Sequence, residues 1–214
     1  MSFRFEISGD YACFTRPELK VERVSYDVIT PSAARGILEA VFWKPAIRYI
    51  IDKIEVCNPI KFDNILRNEV SDKASVNKEY LAATSMRVQR NTMLLRDVKY
   101  VITAHFEQTD ELGERDKNPD GSFNHGKFAD SITRALQQGR NYYQPYLGVR
   151  EFPANVRLVE KDEEICTIDE TRDLGLMLYD IEYIKADMMK FVPTYFKAFI
   201  DNGVIDLKNV EVLK

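Results

Sequence analysis

Histidine is scarce in this chain: its 214 residues include two, His105 and His125. They lie apart from each other and from the three scattered cysteines, Cys13, Cys57 and Cys166, so zinc-ligand spacing is missing. No C-x-x-C pair exists, and an odd cysteine count without a secretory segment points to free thiols in a reducing compartment. No apolar run approaches the roughly 20 residues that span a bilayer. The opening Met-Ser-Phe-Arg-Phe-Glu lacks the apolar core of a signal peptide. A cytoplasmic protein is expected. A G-x-x-x-x-G-K-[ST] loop is also missing, which removes a P-loop nucleotide hydrolase. The acidic run 160–170 lacks EF-hand spacing and reads as a solvated face. Neither a metal nor another cofactor is expected. Positive charge is not in excess: 30 Lys and Arg stand against 34 Asp and Glu, a net charge of −4. Taken as a sum, that argues mildly against a nucleic-acid binder.

What is present describes an ordinary globular protein. Apolar residues make up 45% and charged residues 30%, which excludes disorder as the dominant state. A chain of this length buries a core without disulfides or metals. The charge is unevenly placed. Residues 84–99 carry Arg87, Arg90, Arg96 and Lys99 with one acid, Asp97, whereas residues 160–185 hold nine acids. An acidic C-terminal third therefore leaves room for a basic face elsewhere.

Along the chain, Phe3, Phe5 and Ile7 alternate with Arg4 and Glu6, the period of a half-buried strand. Gly9-Asp10 is read as interrupting it, with Ala12-Cys13-Phe14 resuming. Thr30-Pro31 starts a helix carrying the stripe Ile37, Leu38, Val41 and Phe42, and Pro45 stops it. Ile47 to Val56 is a strand. Residues 59–92 show little periodicity and are expected to be a long loop with one short helical turn. Met93 to Phe106 is a second strong strand, and 108–124 a polar loop with the turn Asn118-Pro119-Asp120-Gly121. Phe128, Ile132, Ala135 and Leu136 give a helix ended by Gly139. Tyr146-Leu147-Gly148 begins an extended segment, and Asn155 to Val159 alternates. The order strand, helix, strand, strand, helix, strand implies an α+β, ferredoxin-like domain over 1–160, a topology shared by RNA-recognition modules. Residues 161–214 read as a small antiparallel β domain, with Asp201-Asn202-Gly203 as a hairpin turn between 195–200 and 204–207.

Several segments recur in a fixed order. They are Gly9-Asp10-Tyr11-Ala12 with Phe14-Thr15, then Ser25-Tyr26-Asp27-Val28 with Thr30-Pro31-Ser32-Ala33, and Arg35-Gly36-Ile37-Leu38-Glu39-Ala40. Trp43-Lys44-Pro45, Leu95-Arg96-Asp97-Val98-Lys99-Tyr100, Tyr146-Leu147-Gly148-Val149-Arg150-Glu151 and Asn202-Gly203-Val204 follow. Each is weak alone, but as an ordered set running nearly end to end they resemble the Cas-five "d" family of subtype I-C CRISPR systems. The resemblance implies a ferredoxin-like RNA-binding domain plus a small C-terminal β domain. It implies binding of the CRISPR repeat, metal-free cutting of the precursor RNA by attack of a 2′-hydroxyl on the adjacent phosphate, and retention of the 5′ handle of the guide RNA among other subunits of a surveillance complex.

The family active site joins a Tyr just before Trp-Lys-Pro with a Lys-His pair near the start of the second helix. Here Phe42 stands at the Tyr position, Lys127 matches the Lys, and Phe128 stands where His is expected. Cleavage needs a base for the 2′-hydroxyl, an acid for the leaving 5′-oxygen and a cation for the developing charge, and Phe supplies none of these. Lys127 is the candidate cation. The candidates for proton transfer are His125, two residues before it, and Tyr143, beside Tyr142. A solvated lysine, a surface loop histidine and a tyrosine packed on the sheet are the corresponding structural readings. Strand residue His105 is read as structural. Arg35, Lys44, Arg87, Arg90, Arg96 and Arg140 are candidate RNA contacts, with Tyr80 and Met86 interleaved; surface ion pairs and a solvated loop are the alternatives. The sequence thus carries two readings: a precursor-RNA endoribonuclease, and a non-catalytic subunit that holds the handle.

Overall fold

The computed structural model describes residues 2–19, 21–71, 83–183 and 191–214. Strands β1 (Phe3–Ala12) and β2 (Arg23–Val24) precede helix α1 (Pro31–Val41). Then come β3 (Ile47–Val56), β4 (Phe62–Val70), β5 (Arg87–Gln108), helix α2 (His125–Gln138) and β6 (Asn155–Leu158). β7 (Arg172–Tyr183), β8 (Phe191–Ile200) and β9 (Val204–Asp206) complete the chain. The fold is mixed α/β, with antiparallel sheets and few helices. The principal sheet has the order β6-β1-β5-β3-β9, with β2 and β4 also pairing with β5, and β7–β8 form a second, two-stranded sheet. No helix among the described residues is long and apolar enough to cross a membrane.

Local signals explain both helices. Thr30 Oγ1 accepts the Ala33 amide at 3.2 Å and Pro31 occupies the first turn, so α1 starts where capping chemistry places it. Asn124 caps α2 by accepting the Lys127 amide at 3.0 Å, and Gly139 closes it in the left-handed region at φ +62°. Ile37, Leu38 and Val41 of α1 and Phe128, Ile132 and Leu136 of α2 turn inward. They meet Phe5, Ile7, Tyr49, Ile54 and Ile102 of the sheet in one apolar core, which also takes in Met177 of β7 and Phe196 of β8.

The other face of the sheet is charged. Arg157 bonds Glu6 at 2.6 Å and Glu163 at 2.6 Å, Lys99 reaches Glu6 at 3.0 Å, and Lys53 reaches Glu55 at 3.1 Å. Arg157 holds the Glu163 carboxyl down at about 2. Charges that neutralise one another leave no aromatic platform of the kind on which RNA-recognition modules stack bases.

Four expectations need correction. Within 59–92, read as a long loop, residues 62–70 and 87–92 are strands, with the expected short helical turn at Ala83–Met86: β4 pairs with the start of β5 from Phe62↔Leu95 to Val70↔Arg87. The β4 side chains of this ribbon alternate between exposed and half-buried, and the half-buried set, Asp63, Ile65, Arg67 and Glu69, is mostly charged, so no apolar alternation marks the strand in the sequence. β5 therefore runs for 22 residues, roughly 70 Å at strand rise. Tyr80 lies outside the described residues. Gly9-Asp10 does not interrupt β1, because a side chain at Gly9 would meet Leu147 Cδ1 at 2.5 Å and glycine is what lets the 146–153 loop pack there. Tyr146-Leu147-Gly148 is not a strand; Tyr146 makes one isolated bridge to Pro153. Asn202 and Gly203 do form a turn with positive φ, 48° and 77°. The strands it joins diverge, however: β8 pairs with β7 while β9 crosses to β3, and a single Asp201↔Val204 bridge links them.

Candidate functional site

The loop after β5 folds back on the start of α2. Within it, Asn118 and Ser122 close a turn by a backbone bond of 2.8 Å, and the Asn124 amide donates to the Asp116 carbonyl at 2.9 Å. Phe123 stacks on Phe128 at 5.1 Å between ring centres, clamping the loop to the helix. These contacts set Asp116 opposite Lys127. The Lys127 ammonium donates to the Arg115 carbonyl at 2.6 Å and to Asp116 Oδ1 at 3.0 Å. Lys127 holds the Asp116 carboxyl below its usual range, and the charge of Lys44, arriving from the end of α1, adds to the effect. Lys127 is the cation paired with this acid, and Lys44 and its neighbour Trp43 are both exposed. The helix adds to the field, since first-turn amides and the helix dipole favour an anion at its N-terminus.

His125, the first residue of α2, lies flat on Phe106 at 4.4 Å and edge-on to Phe123 at 6.0 Å. Its ring nitrogens make no hydrogen bond or ion pair among the described residues. His105 differs: its Nδ1 faces the buried Asp52 carboxylate at 3.0 Å, an engaged pair within the sheet.

The two phenylalanines at the family active-site positions are packed. Phe128 is 1% exposed in the aromatic cluster beneath His125. Phe42 caps the C-terminus of α1 and is half-buried, and its carbonyl accepts the Tyr49 hydroxyl at 2.8 Å. That hydroxyl does not replace the expected tyrosine: Tyr49 is buried, spent on this bond, and pushed above the usual phenol range by burial.

The remaining candidates occupy three other places. Arg35 binds Asp180 across the molecule and sits 3.4 Å from Glu39, while Arg48 reaches the same Asp180 oxygen at 3.0 Å. Arg35 is a brace between α1 and β7. Arg87 and Arg96 are exposed on the ribbon; Arg90 is half-buried opposite Arg67, beside Glu69. Met86 ends the short 3-10 turn before β5. Arg140 follows α2, exposed, beside the exposed Tyr142. The Tyr142 and Tyr143 amides both donate to the Ala40 carbonyl, at 2.8 and 3.2 Å, which fastens this segment to α1. Among the described residues no hydrogen bond, ion pair or ring contact joins Tyr143 to His125 or Lys127. Asp116 is the member of the Lys127 site that sequence reasoning missed: one acid in a polar loop has no periodicity to mark it. No group of three or more His, Cys, Asp or Glu among the described residues is placed to hold a metal ion.

Comparison with known proteins gives the family of the chain. The Cas5d family model, described as CRISPR-associated protein (Cas_Cas5), matches residues 2–208. A "CRISPR pre-crRNA endoribonuclease Cas5d" of Mannheimia succiniciproducens is 43% identical over 221 aligned residues, covering 95% of this chain and 93% of the relative. A protein of the same name from Thermus thermophilus is 38% identical over 186 residues, covering 85% and 74%. A crystal structure of a CRISPR-associated protein superposes with a TM-score of 0.70 at 24% identity, covering 98% of this chain and 92% of that one, a likeness of fold alone.

Proposed function

The chain belongs to the Cas5d family of CRISPR-associated proteins, and from that premise we propose that it binds the repeat of precursor crRNA, cleaves it without metal, and retains the 5′ handle beside other subunits of the type I-C surveillance complex. The observation that carries the chemistry is the half-buried His125 and the exposed Lys127 together on the first turn of α2, the lysine held by Asp116. The 2′-oxygen attacks the adjacent phosphorus and the bond to the leaving 5′-oxygen breaks, giving a 2′,3′-cyclic phosphate and a 5′-hydroxyl. Lys127, aided by Lys44 and the α2 dipole, stabilises the charge that builds on the phosphoryl oxygens. His125 relays the proton between the 2′-hydroxyl and the leaving group. Tyr143 is the alternative base, and the free ring nitrogens of His125 rank it behind the histidine. Arg87, Arg90 and Arg96 along the ribbon, with Arg140 and Lys44, are the backbone contacts; Arg35 acts through its brace to β7.

The sheet order β6-β1-β5-β3, with helices after its first and third chain-order strands, supports reading 1–160 as a ferredoxin-like RNA-binding unit. Residues 161–214 are then a small antiparallel β unit that shares the core. The reading places the protein in the cytoplasm. The buried Phe128 and hydroxyl-free Phe42 favour the second reading, a subunit that holds the handle without cutting it. Cleavage of a cognate repeat hairpin in EDTA separates the two. We expect one cut, abolished by a single 2′-deoxy substitution at the scissile nucleotide; tight binding with no cut would select the second reading.

A further inference from the structure

A cleft of about 390 Å³ opens between α1, β7 and the segment that follows α2, away from Lys127. Its size falls in the range of sites that enclose a small organic group. Gly36 forms part of its floor. Mid-helix glycine costs about 0.5–1 kcal/mol against alanine, and nothing lies within 4 Å of where a Cβ on Gly36 would stand. Neither backbone conformation nor packing requires glycine there. The use that remains for it is close approach of a bound group to the helix.

The surroundings define that group. Tyr143 and Tyr146 supply phenol rings at the cleft, and Thr15 a hydroxyl. The Tyr143 amide donates a hydrogen bond to the Ala40 carbonyl, and Leu147, next to Tyr146, accepts from the Cys13 amide at 3.0 Å and donates to the Phe152 carbonyl at 2.8 Å. The charges cancel locally: Arg35 and Arg48 converge on Asp180, and Glu39 sits beside Arg35. The arginine that lines the cleft is thus paired, while Arg150 stands exposed in the adjoining hollow beside Tyr143 and Tyr146. Arg35 Nε is itself turned to Glu39 Oε1 at 3.4 Å, so the guanidinium is spent on the two acids. Two tyrosines and a hydroxyl in a cleft whose own arginine is paired fit a flat, uncharged heterocycle with polar edges.

We propose that this cleft is a nucleobase pocket, which takes one base turned out of the bound RNA strand over Gly36 and between the Tyr143 and Tyr146 side. The inference rests on the RNA-binding reading above, and its test keeps the two apart. Repeat RNAs carrying one abasic nucleotide at each handle position in turn are titrated against wild-type protein, Gly36→Ala and Gly36→Leu. Base–aromatic stacking contributes about 1–3 kcal/mol, so at one position the wild type should lose affinity by roughly 10-fold. Gly36→Leu, which fills the cleft, should bind intact RNA about 10-fold more weakly and become indifferent to that same abasic position. Gly36→Ala should fall between. The melting temperature of both variants should stay level or rise, which removes misfolding as the cause. Intact RNA bound equally by Gly36→Leu and wild type, or abasic losses unchanged in the variant, would overturn the pocket. No binding of any repeat RNA by wild type would instead sink the reading on which it rests.

Discussion

Replacing Lys127 by alanine lowers the single-turnover rate of repeat cleavage by roughly 10²–10³-fold, the usual effect of removing one donor aimed at transition-state charge. Repeat affinity should change far less, because the ribbon arginines and Lys44 remain. The expectation follows from how Lys127 is held. Its ammonium is pinned by the Arg115 carbonyl and by Asp116, yet the side chain is 44% exposed, so the charge is both positioned and reachable. The fold should tolerate the change, since an exposed ion pair contributes at most about 1 kcal/mol. His125→Ala, measured alongside, should cost about 10²–10⁴-fold through loss of proton transfer. An undiminished rate in both Lys127→Ala and His125→Ala, with Phe128 already inert, would leave α2 without a catalytic role.

Gly148→Ala destabilises the protein by about 3 kcal/mol or more, combining left-handed strain with a clash that backbone must relieve. Gly148 has φ +85°, and a Cβ there would lie 2.0 Å from the Cys13 carbonyl oxygen and 2.6 Å from its carbon. The obstruction is backbone at the end of β1, whose own amide donates to the Leu147 carbonyl at 3.0 Å, so neither partner can retreat without breaking that bond. In a chain of this length the loss corresponds to a melting temperature lower by roughly 6–12 °C. Gly36→Ala is the internal contrast: alanine enters open space on a helix and should not lower it. Equal melting temperatures for Gly148→Ala and wild type would show that the 146–153 loop is not locked as described.

These two glycines show how unevenly a sequence displays its constraints. Both fall in segments that resemble the family, and nothing in composition distinguishes them. One is required by a carbonyl more than a hundred residues away; the other faces empty space. The β4–β5 ribbon is hidden for a related reason. Strand periodicity is visible when one face is buried, and β4 has no buried face, so its pairing with β5 leaves no trace in the hydropathy pattern.

The sequence by itself determined whatever is settled within a few residues. Thr30-Pro31 and Asn124 start the helices, Gly139 ends one, Asn202-Gly203 turns the chain, and alternation marks β1 and β6. It also placed Lys127 on the first turn of α2, whereas His125, read as a loop residue, proves to be the first residue of the helix. Tertiary structure alone decided which charges remain free. Arg35 and Lys127 look alike as exposed cations on helices, but Arg35 meets Asp180 across 145 positions and becomes a brace, whereas Lys127 meets Asp116 at the surface and stays accessible. Tyr143, read beside Lys127 as a base, is fastened to α1 on the rim of another cleft. The reason is physical: caps, turns and amphipathic stripes are local interactions, while the partner of a charge is set by sheet register and helix packing, which no local pattern encodes.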